Sequence, residues 1–289
     1  MPTPPSAPPA RPRRRPRVAV VERVERLTPS LIRIVFGGDG LDGFEAGAFT
    51  DHYVKLQFPP PGAPYAPPFD PEAVKAQVPR ELWPRTRTYT VRAWDPDARR
   101  LTIDVVHHGD HGIAGPWAAA ARPGDRIQLL GPGGAYAPDP RADWHLMVGD
   151  PSVLPAIAAS LARVPAGVPV HVLVAVGGPE DEVPLESPGD LRVRWLHHGE
   201  AGVAADADLL VDALRELDWP AGRVHAFVHG EANAVRAVRR HLLADRGVPR
   251  EDLSVSGYWK LGRTDEGWRE EKPQWNRLVE QDVAGPPSP

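Results

Sequence analysis

The chain has 289 residues, enough for two domains of ordinary size. Hydrophobic content of 42%, charged content of 25% and a net charge of −4 are those of a globular chain with no overall bias toward nucleic acid. There is no cysteine, which excludes disulfides, Cys-ligated zinc, iron–sulfur clusters and thiol catalysis; redox chemistry would need a bound organic cofactor or a non-Cys metal site.

Residues 1–17 are rich in Pro, Ala and Arg and read as a disordered extension. The arginines at 11, 13, 14, 15 and 17 suggest a twin-arginine signal. However, the apolar run Val18-Ala19-Val20-Val21 stops at Glu22, short of the about 7 apolar residues a signal needs. No apolar run approaches the roughly 20 residues that span a bilayer. The expectation is a cytoplasmic chain without membrane or nucleic-acid contact. With no obvious apolar surface stripe, it is expected to be a monomer.

Six short runs then read as strands: 18–26, 31–37, 53–58, 87–94, 101–107 and 126–130. Gly37-Gly38, Asp95-Pro96-Asp97 and Pro123-Gly124-Asp125 separate them, and the pattern predicts a closed antiparallel barrel over 18–139. A Pro-rich insertion fills 59–84, and a loop of that length is usually functional or mobile. Within the fourth run, period-2 alternation puts Arg87 and Tyr89 on one face and Thr88 and Thr90 on the other. A cation, a flat aromatic and a hydroxyl suit a ligand with phosphate, a planar ring and a polar edge; an ordinary exposed strand is the plainer alternative.

The segment His108-Gly109-Asp110-His111-Gly112-Ile113-Ala114-Gly115-Pro116-Trp117 is a Gly-rich turn entering a short helix, where backbone amides can approach a phosphate. His107, His108 and His111 could form a metal cluster, but no carboxylate or fourth ligand is spaced to complete it. No metal site is therefore expected.

From Trp144 the rhythm changes. Continuous apolar strands at 144–148, 168–176, 191–196 and 225–228 alternate with helices at 153–164, 208–217 and 232–246. This predicts a doubly wound parallel sheet over 140–263, with ligands at the carboxyl ends of its strands. Those ends carry Gly149-Asp150 and Gly230-Glu231, neither of which is G-x-G-x-x-G. Asp150 would repel a phosphate, so a helix-capping role stands open beside nucleotide contact. Arg236, Arg239 and Arg240 share a helix face, read as solvated. The strand Leu253-Ser254-Val255-Ser256-Gly257 ends in Tyr258, Trp259, Lys260 and Arg263. These could cover a flat cofactor and hold an anion, or be core plus surface. Residues 264–289 read as a terminal helix, amphipathic over 267–283 with Trp268 and Trp275, and a loose tail.

Four blocks stand in order. They are Arg87-Thr88-Tyr89-Thr90; His108-Gly109-Asp110 with Gly112, Ala114, Trp117 and Ala118; Val148-Gly149-Asp150 with Leu154-Pro155-Ala156-Ile157; and Gly230-Glu231 with Ser256-Gly257-Tyr258-Trp259. Together, over about residues 17–264, the chain resembles the siderophore-interacting protein family, FAD-dependent ferric-siderophore reductases of the ferredoxin-reductase-like superfamily.

That resemblance implies an antiparallel flavin-binding β-barrel followed by a doubly wound parallel-sheet nucleotide-binding domain. Arg87, Thr88, Tyr89 and Thr90 would hold flavin and phosphate. Asp104, Val105, Val106, His107 and His108 would line the flavin through backbone groups. Ala114, Gly115, Pro116 and Trp117 would meet the pyrophosphate and ribityl chain, and Tyr258 or Trp259 would lie near the flavin from the other side. Gly149, Asp150, Gly230 and Glu231 would meet NADH or NADPH, with ferredoxin as another donor, and Lys55, Lys260 and Arg263 would face the ferric siderophore. The family usually has Asp-Glu-Thr-Ala where Asp150-Pro151-Ser152-Val153 stands, and often an Arg within 131–136, where this chain has Gly133-Gly134. The flavin would carry the chemistry, with no catalytic side chain. A general NAD(P)H–flavin reductase of the same fold and a non-enzymatic siderophore-binding protein are the alternatives.

Overall fold

A computed structural model describes residues 16–282; the expected N-terminal extension up to Arg15 and the tail from Val283 lie outside them. The first part of the chain builds one antiparallel sheet. Its strands are β1 (Arg17–Thr28), β2 (Leu31–Gly37), β3 (Tyr53–Phe58), β4 (Arg85–Thr90), β5 (Ala93–Asp95), β6 (Arg100–Val106) and β7 (Arg126–Gly133), in the order β4-β3-β7-β1-β2-β6-β5. Ile32, Ile34, Phe36, Leu56, Leu101, Ile103 and Leu129 point inward at period 2 and fill the interior.

The run expected as one strand over 87–94 breaks at Val91-Arg92. Val91, fully buried, donates its N–H to His52 O at 2.8 Å, and Arg92 donates to Thr102 O at 2.9 Å. The chain thus leaves β3 and joins β6, which closes the barrel. The 59–84 insertion carries α1 (Pro71–Gln77), capped by Asp70. It is tied down at its middle by the buried Gln128. Phe69 N–H donates to Gln128 Oε1 (2.8 Å), and Gln128 Nε2 donates to Phe69 O (2.9 Å) and to Gln57 Oε1 (2.6 Å). After β6 comes α2 (Ala114–Ala120).

The second part alternates β8 (Trp144–Gly149), α3 (Leu154–Leu161), β9 (Pro169–Val176), β10 (Asp190–His197), α4 (Asp206–Glu216), β11 (Val224–Glu231), α5 (Ala232–Ala244) and β12 (Leu253–Trp259). All five strands are parallel, in the order β10-β9-β8-β11-β12. Every residue of β8 is buried, as its unbroken apolar run predicts.

The last helix, α6 (Asp265–Gln281), starts at the Thr264 cap and lays Trp268 and Trp275 into the core of this sheet. Their indole N–H groups donate to Gly257 O (3.3 Å) and Ala232 O (3.2 Å). The arginine face of α5, expected to be solvated, is what receives α6. Buried Arg239 donates to Val279 O (2.5 Å), and Arg236 grips Asp282 at 2.5 and 2.7 Å. Cations there meet carbonyls and a carboxylate at the negative end of the helix. Among the described residues, no helix is long and apolar enough to cross a membrane.

Candidate functional site

The two sheets meet along a seam, and β4 and β6 lie on the barrel side of it. Arg87 pairs across the sheet with Leu56 and Tyr89 with Val54, while Thr88 stands opposite Lys55 on the other face. The alternation expected from sequence therefore holds, and Tyr89 packs against the barrel core. On β6, pairing with β5 stops at Thr102, so residues 103–106 are paired only with β2. Asp104, Val105 and Val106 thus present a backbone edge without a strand partner, and such polar groups seek a partner when buried. Asp104 ties its carboxylate bidentately to Arg33 (2.7 and 2.8 Å), so its side chain is structural. His107 N–H is taken by Ser30 O at 2.8 Å.

Beyond that edge, Gly109 (φ 72°) and Gly112 (φ 83°) turn the chain into α2. The helix has no side-chain cap, and the amides of Ala114 and Gly115 have no acceptor among the described residues. Gly115 brings the helix start against β6: a Cβ there would lie 3.3 Å from Val106 O. Pro116 has no N–H to offer. Trp117 stacks on Phe36 (6.4 Å, 14°) and meets Phe58 edge-on, so its indole belongs to the barrel core. His108 and His111 are exposed, and no cluster of three His, Asp or Glu is placed to hold a metal among the described residues.

From the other side, Tyr258 reaches the barrel. It stands edge-on to His229 (5.1 Å, 79°), which stacks on Phe227. Burial pushes the Tyr258 phenol above its ordinary range; Asp51 adds to this and the Thr90 hydroxyl opposes it, which places the ring between β12 and the barrel. Burial raises Tyr89 in the same way. Both phenols are neutral donors at any physiological pH. Trp259 turns elsewhere and donates its indole N–H to Asp150 Oδ2 at 3.0 Å.

The carboxyl edge of the second sheet is closed. Asp150 is buried and accepts Ser152 N (2.8 Å), Ser152 Oγ (2.5 Å) and Glu231 N (2.7 Å) besides Trp259. Glu231 caps α5, accepting Asn233 N (2.6 Å) and Ala234 N (3.0 Å), and also accepts Leu261 N (3.1 Å). A Cβ at Gly230 would fall 2.4 Å from Asp150 Oδ2, and one at Gly149 2.9 Å from His229 O. Asp206 adds a third buried carboxylate, hydrogen-bonded to His198 (2.7 Å) and raised to about 6 by burial. Asp150, Asp206, Glu231 and His229 line a cavity of about 10 Å³, room for one water.

The cations of the site are mostly paired, through contacts that sequence gave no sign of. Arg87 holds Glu266 (2.7 Å) and Asp265 (3.3 Å), both in the first turn of α6. Lys260 holds Glu271 at 2.9 Å, and Arg263 binds the same carboxylate. Lys55 is exposed and forms no ion pair among the described residues. Arg92 follows two residues after Thr90, and nothing in the local sequence pattern marks it. It is half-buried, has no carboxylate partner among the described residues, and its pKa is lowered by burial and by Arg33 nearby.

Comparison with known proteins gives two adjoining family matches. Residues 20–136 match the siderophore-interacting FAD-binding domain, and residues 142–262 match the siderophore-interacting protein family. An uncharacterized protein of Mycobacterium tuberculosis is 42% identical over 92% of this chain and 96% of its own. The ferric vibriobactin reductase ViuB of Vibrio cholerae is 32% identical over 89% of this chain and 94% of its own. A siderophore utilization protein from T. fusca, known by crystal structure, is 37% identical with a TM-score of 0.73 over 87% of this chain and 95% of that one. The order of barrel, then parallel sheet, is the ferredoxin-reductase-like fold.

Proposed function

This chain belongs to the siderophore-interacting protein family, and from that premise we propose that it is an FAD-dependent reductase of ferric siderophores. The unpaired β6 edge beside Tyr89, Thr90 and the uncapped start of α2 carries the reading. A flavin dinucleotide needs a flat slot, hydrogen-bond partners for its ring edge and donors for a pyrophosphate, and these groups fit it. Tyr89 would flank the ring from the barrel side and Tyr258 from β12. The backbone of Asp104, Val105, Val106 and His107 lines the ring edge. Thr90 lies where its hydroxyl can meet that edge. The amides of Ala114 and Gly115, with Arg92, would hold the phosphates, and Arg87 could add to them in place of its pairs with Asp265 and Glu266.

Bound FAD accepts two electrons together and passes them on singly, which matches a one-electron acceptor such as Fe(III) to a two-electron donor. Hard oxygen ligands hold Fe(III) tightly and Fe(II) less so, and reduction loosens the complex. The iron side needs no acid or base from the chain. Its residues hold the complex at the slot, with Lys55, Lys260 and Arg263 nearest it. For the electron donor, the amides of Glu231, Asn233 and Ala234, which a phosphate would meet at the start of α5, already donate to Asp150 and Glu231. This favours a reduced protein such as ferredoxin over NADH or NADPH.

The test is anaerobic and direct. Purified protein is expected to hold FAD with absorbance near about 450 nm, a general flavin property. The band should bleach fastest with reduced ferredoxin and return on mixing with a ferric siderophore, with Fe(II) released to a chelator. Colourless protein that takes up no FAD overturns the reading.

A further inference from the structure

Resting on that reading, we propose that the start of α6, residues 264–267, is a strap over the phosphate place beside Arg87, and that FAD opens it by setting its phosphates in place of two carboxylates. The Arg87 side chain keeps only 15% of its surface in solvent. Its Nη1 donates to Glu266 at 2.7 Å and to Asp265 at 3.3 Å, and its Nη2 reaches Glu266 at 3.3 Å. A carboxylate and a phosphate ask the same of a guanidinium, which is a fork of N–H groups and an opposite charge. The acidic pair therefore stands in the protein as an internal counterpart of the ligand. The two cannot share Arg87, because carboxylates left beside an arriving pyrophosphate would hold like charges together in a partly desolvated place.

The strap is short and fixed at both ends. Upstream, Arg263 binds Glu271, Lys260 holds the same carboxylate at 2.9 Å, and Leu261 N–H donates to Glu231 Oε1 at 3.1 Å. Downstream, Trp268 is buried in the core of the second sheet. Only the turn between them can give way, and few bonds of its own hold it: Gly267 N–H to Thr264 Oγ1 (3.1 Å) and Trp268 N–H to Thr264 O (2.8 Å). Its hold on Arg87 is also made against resistance. Burial pushes the Asp265 carboxyl above its usual range, and the pull of Arg269 and Arg87 does not restore it. Arg269, in the following turn, donates to Thr86 O at 2.7 Å, which keeps the body of α6 on β4 while the strap moves. Its pair with Asp265 (2.9 Å) is partly exposed and therefore a weak tie. Helix ends are among the first parts of a fold to open, and this end faces a ligand that competes for its anchor. Phosphate binding on the barrel is thus coupled to the loosening of a helix that packs on the other sheet.

The experiment is hydrogen exchange, read by mass spectrometry over residues 262–269 in FAD-free and FAD-loaded protein. A ligand ordinarily slows exchange where it binds. Here the amides of Gly267 and Trp268 should exchange about tenfold faster with FAD bound, while those of β4 slow. The double variant Asp265→Asn with Glu266→Gln should exchange fast in both states, because nothing holds its strap to Arg87. Trypsin gives a second readout on the unaltered chain: cutting after Arg263 needs the strap extended and should quicken about tenfold with FAD. Strap exchange that FAD slows or leaves unchanged overturns the proposal and leaves the flavin reading standing, as does a double variant that exchanges as slowly as FAD-free wild type. Protein that takes up no FAD overturns both. A strap that opens with FAD in a protein that reduces no ferric siderophore supports the strap and sinks the reductase reading alone.

Discussion

Two helix starts face the same seam in opposite states. At α2 no side chain caps the first turn, and the amides of Ala114 and Gly115 are without acceptors among the described residues. At α5 Glu231 already fills that role, and Asp150 ties the preceding strand to its neighbours. An uncapped start with glycine close by is a place for an anion; a start capped by a carboxylate is a place for structure. The two strand-to-helix turns thus differ in whether the chain's own carboxylates already satisfy them.

That contrast can be broken most forcefully at Asp150. Asp150→Ala leaves four donors without an acceptor in a buried site, and urea unfolding should show a loss of about 3 kcal/mol. A loss under about 1 kcal/mol would mean the second edge is less closed than its geometry indicates. On the barrel side, Arg87→Glu should weaken FAD binding about 100-fold by fluorescence titration, since it sets a negative charge where a phosphate is expected. An unaltered affinity would remove Arg87 from the slot.

A third contrast is acid sensitivity. His145 on β8 is wholly buried with neither ring nitrogen partnered, and burial lowers its pKa to about 4. That is below the unfolded value of 6.5, so its stability is complete above pH 6.5 and is lost as pH falls from there toward 4. His229, lowered by burial to about 3, acts in the same direction. Asp206, raised to about 6, opposes them, because its protonation below that pH relieves a buried charge. His145→Leu should cut the loss between pH 7 and pH 5 by about 2 kcal/mol, measured by urea melts at both pH values. An equal loss in both proteins would sink this assignment. The smallest effect belongs to α6. The double change Asp265→Asn with Glu266→Gln frees Arg87 from partly exposed pairs and should tighten FAD binding only about fivefold. Weaker binding would show that the carboxylates orient Arg87 rather than compete for it.

Local patterning made much of this legible. The alternation of Arg87, Thr88, Tyr89 and Thr90 survives because β4 pairs in register with Val54 and Leu56, both fully buried. The unbroken apolar run of β8 announced a parallel sheet for the same reason. What stayed hidden depends on residues far apart in sequence. Arg87 meets Glu266 from 179 positions away. The arginines of α5 looked solvated because a helix face of cations says nothing about a later helix that docks on it. The break at Val91-Arg92 follows from closing the barrel, a demand that no six-residue window expresses.

The Gln128 clamp on Phe69 has a consequence of its own. By fastening segment 59–84 near its midpoint, it converts one long excursion into two short arms, each with both ends fixed. Lengthening one arm would add only about 0.6 kcal/mol of closure entropy per doubling, and the disturbance would stop at the clamp before reaching β3 or β4. The segment is therefore where this architecture can take on new sequence, and new contacts at its rim, while the strands that flank it keep their register.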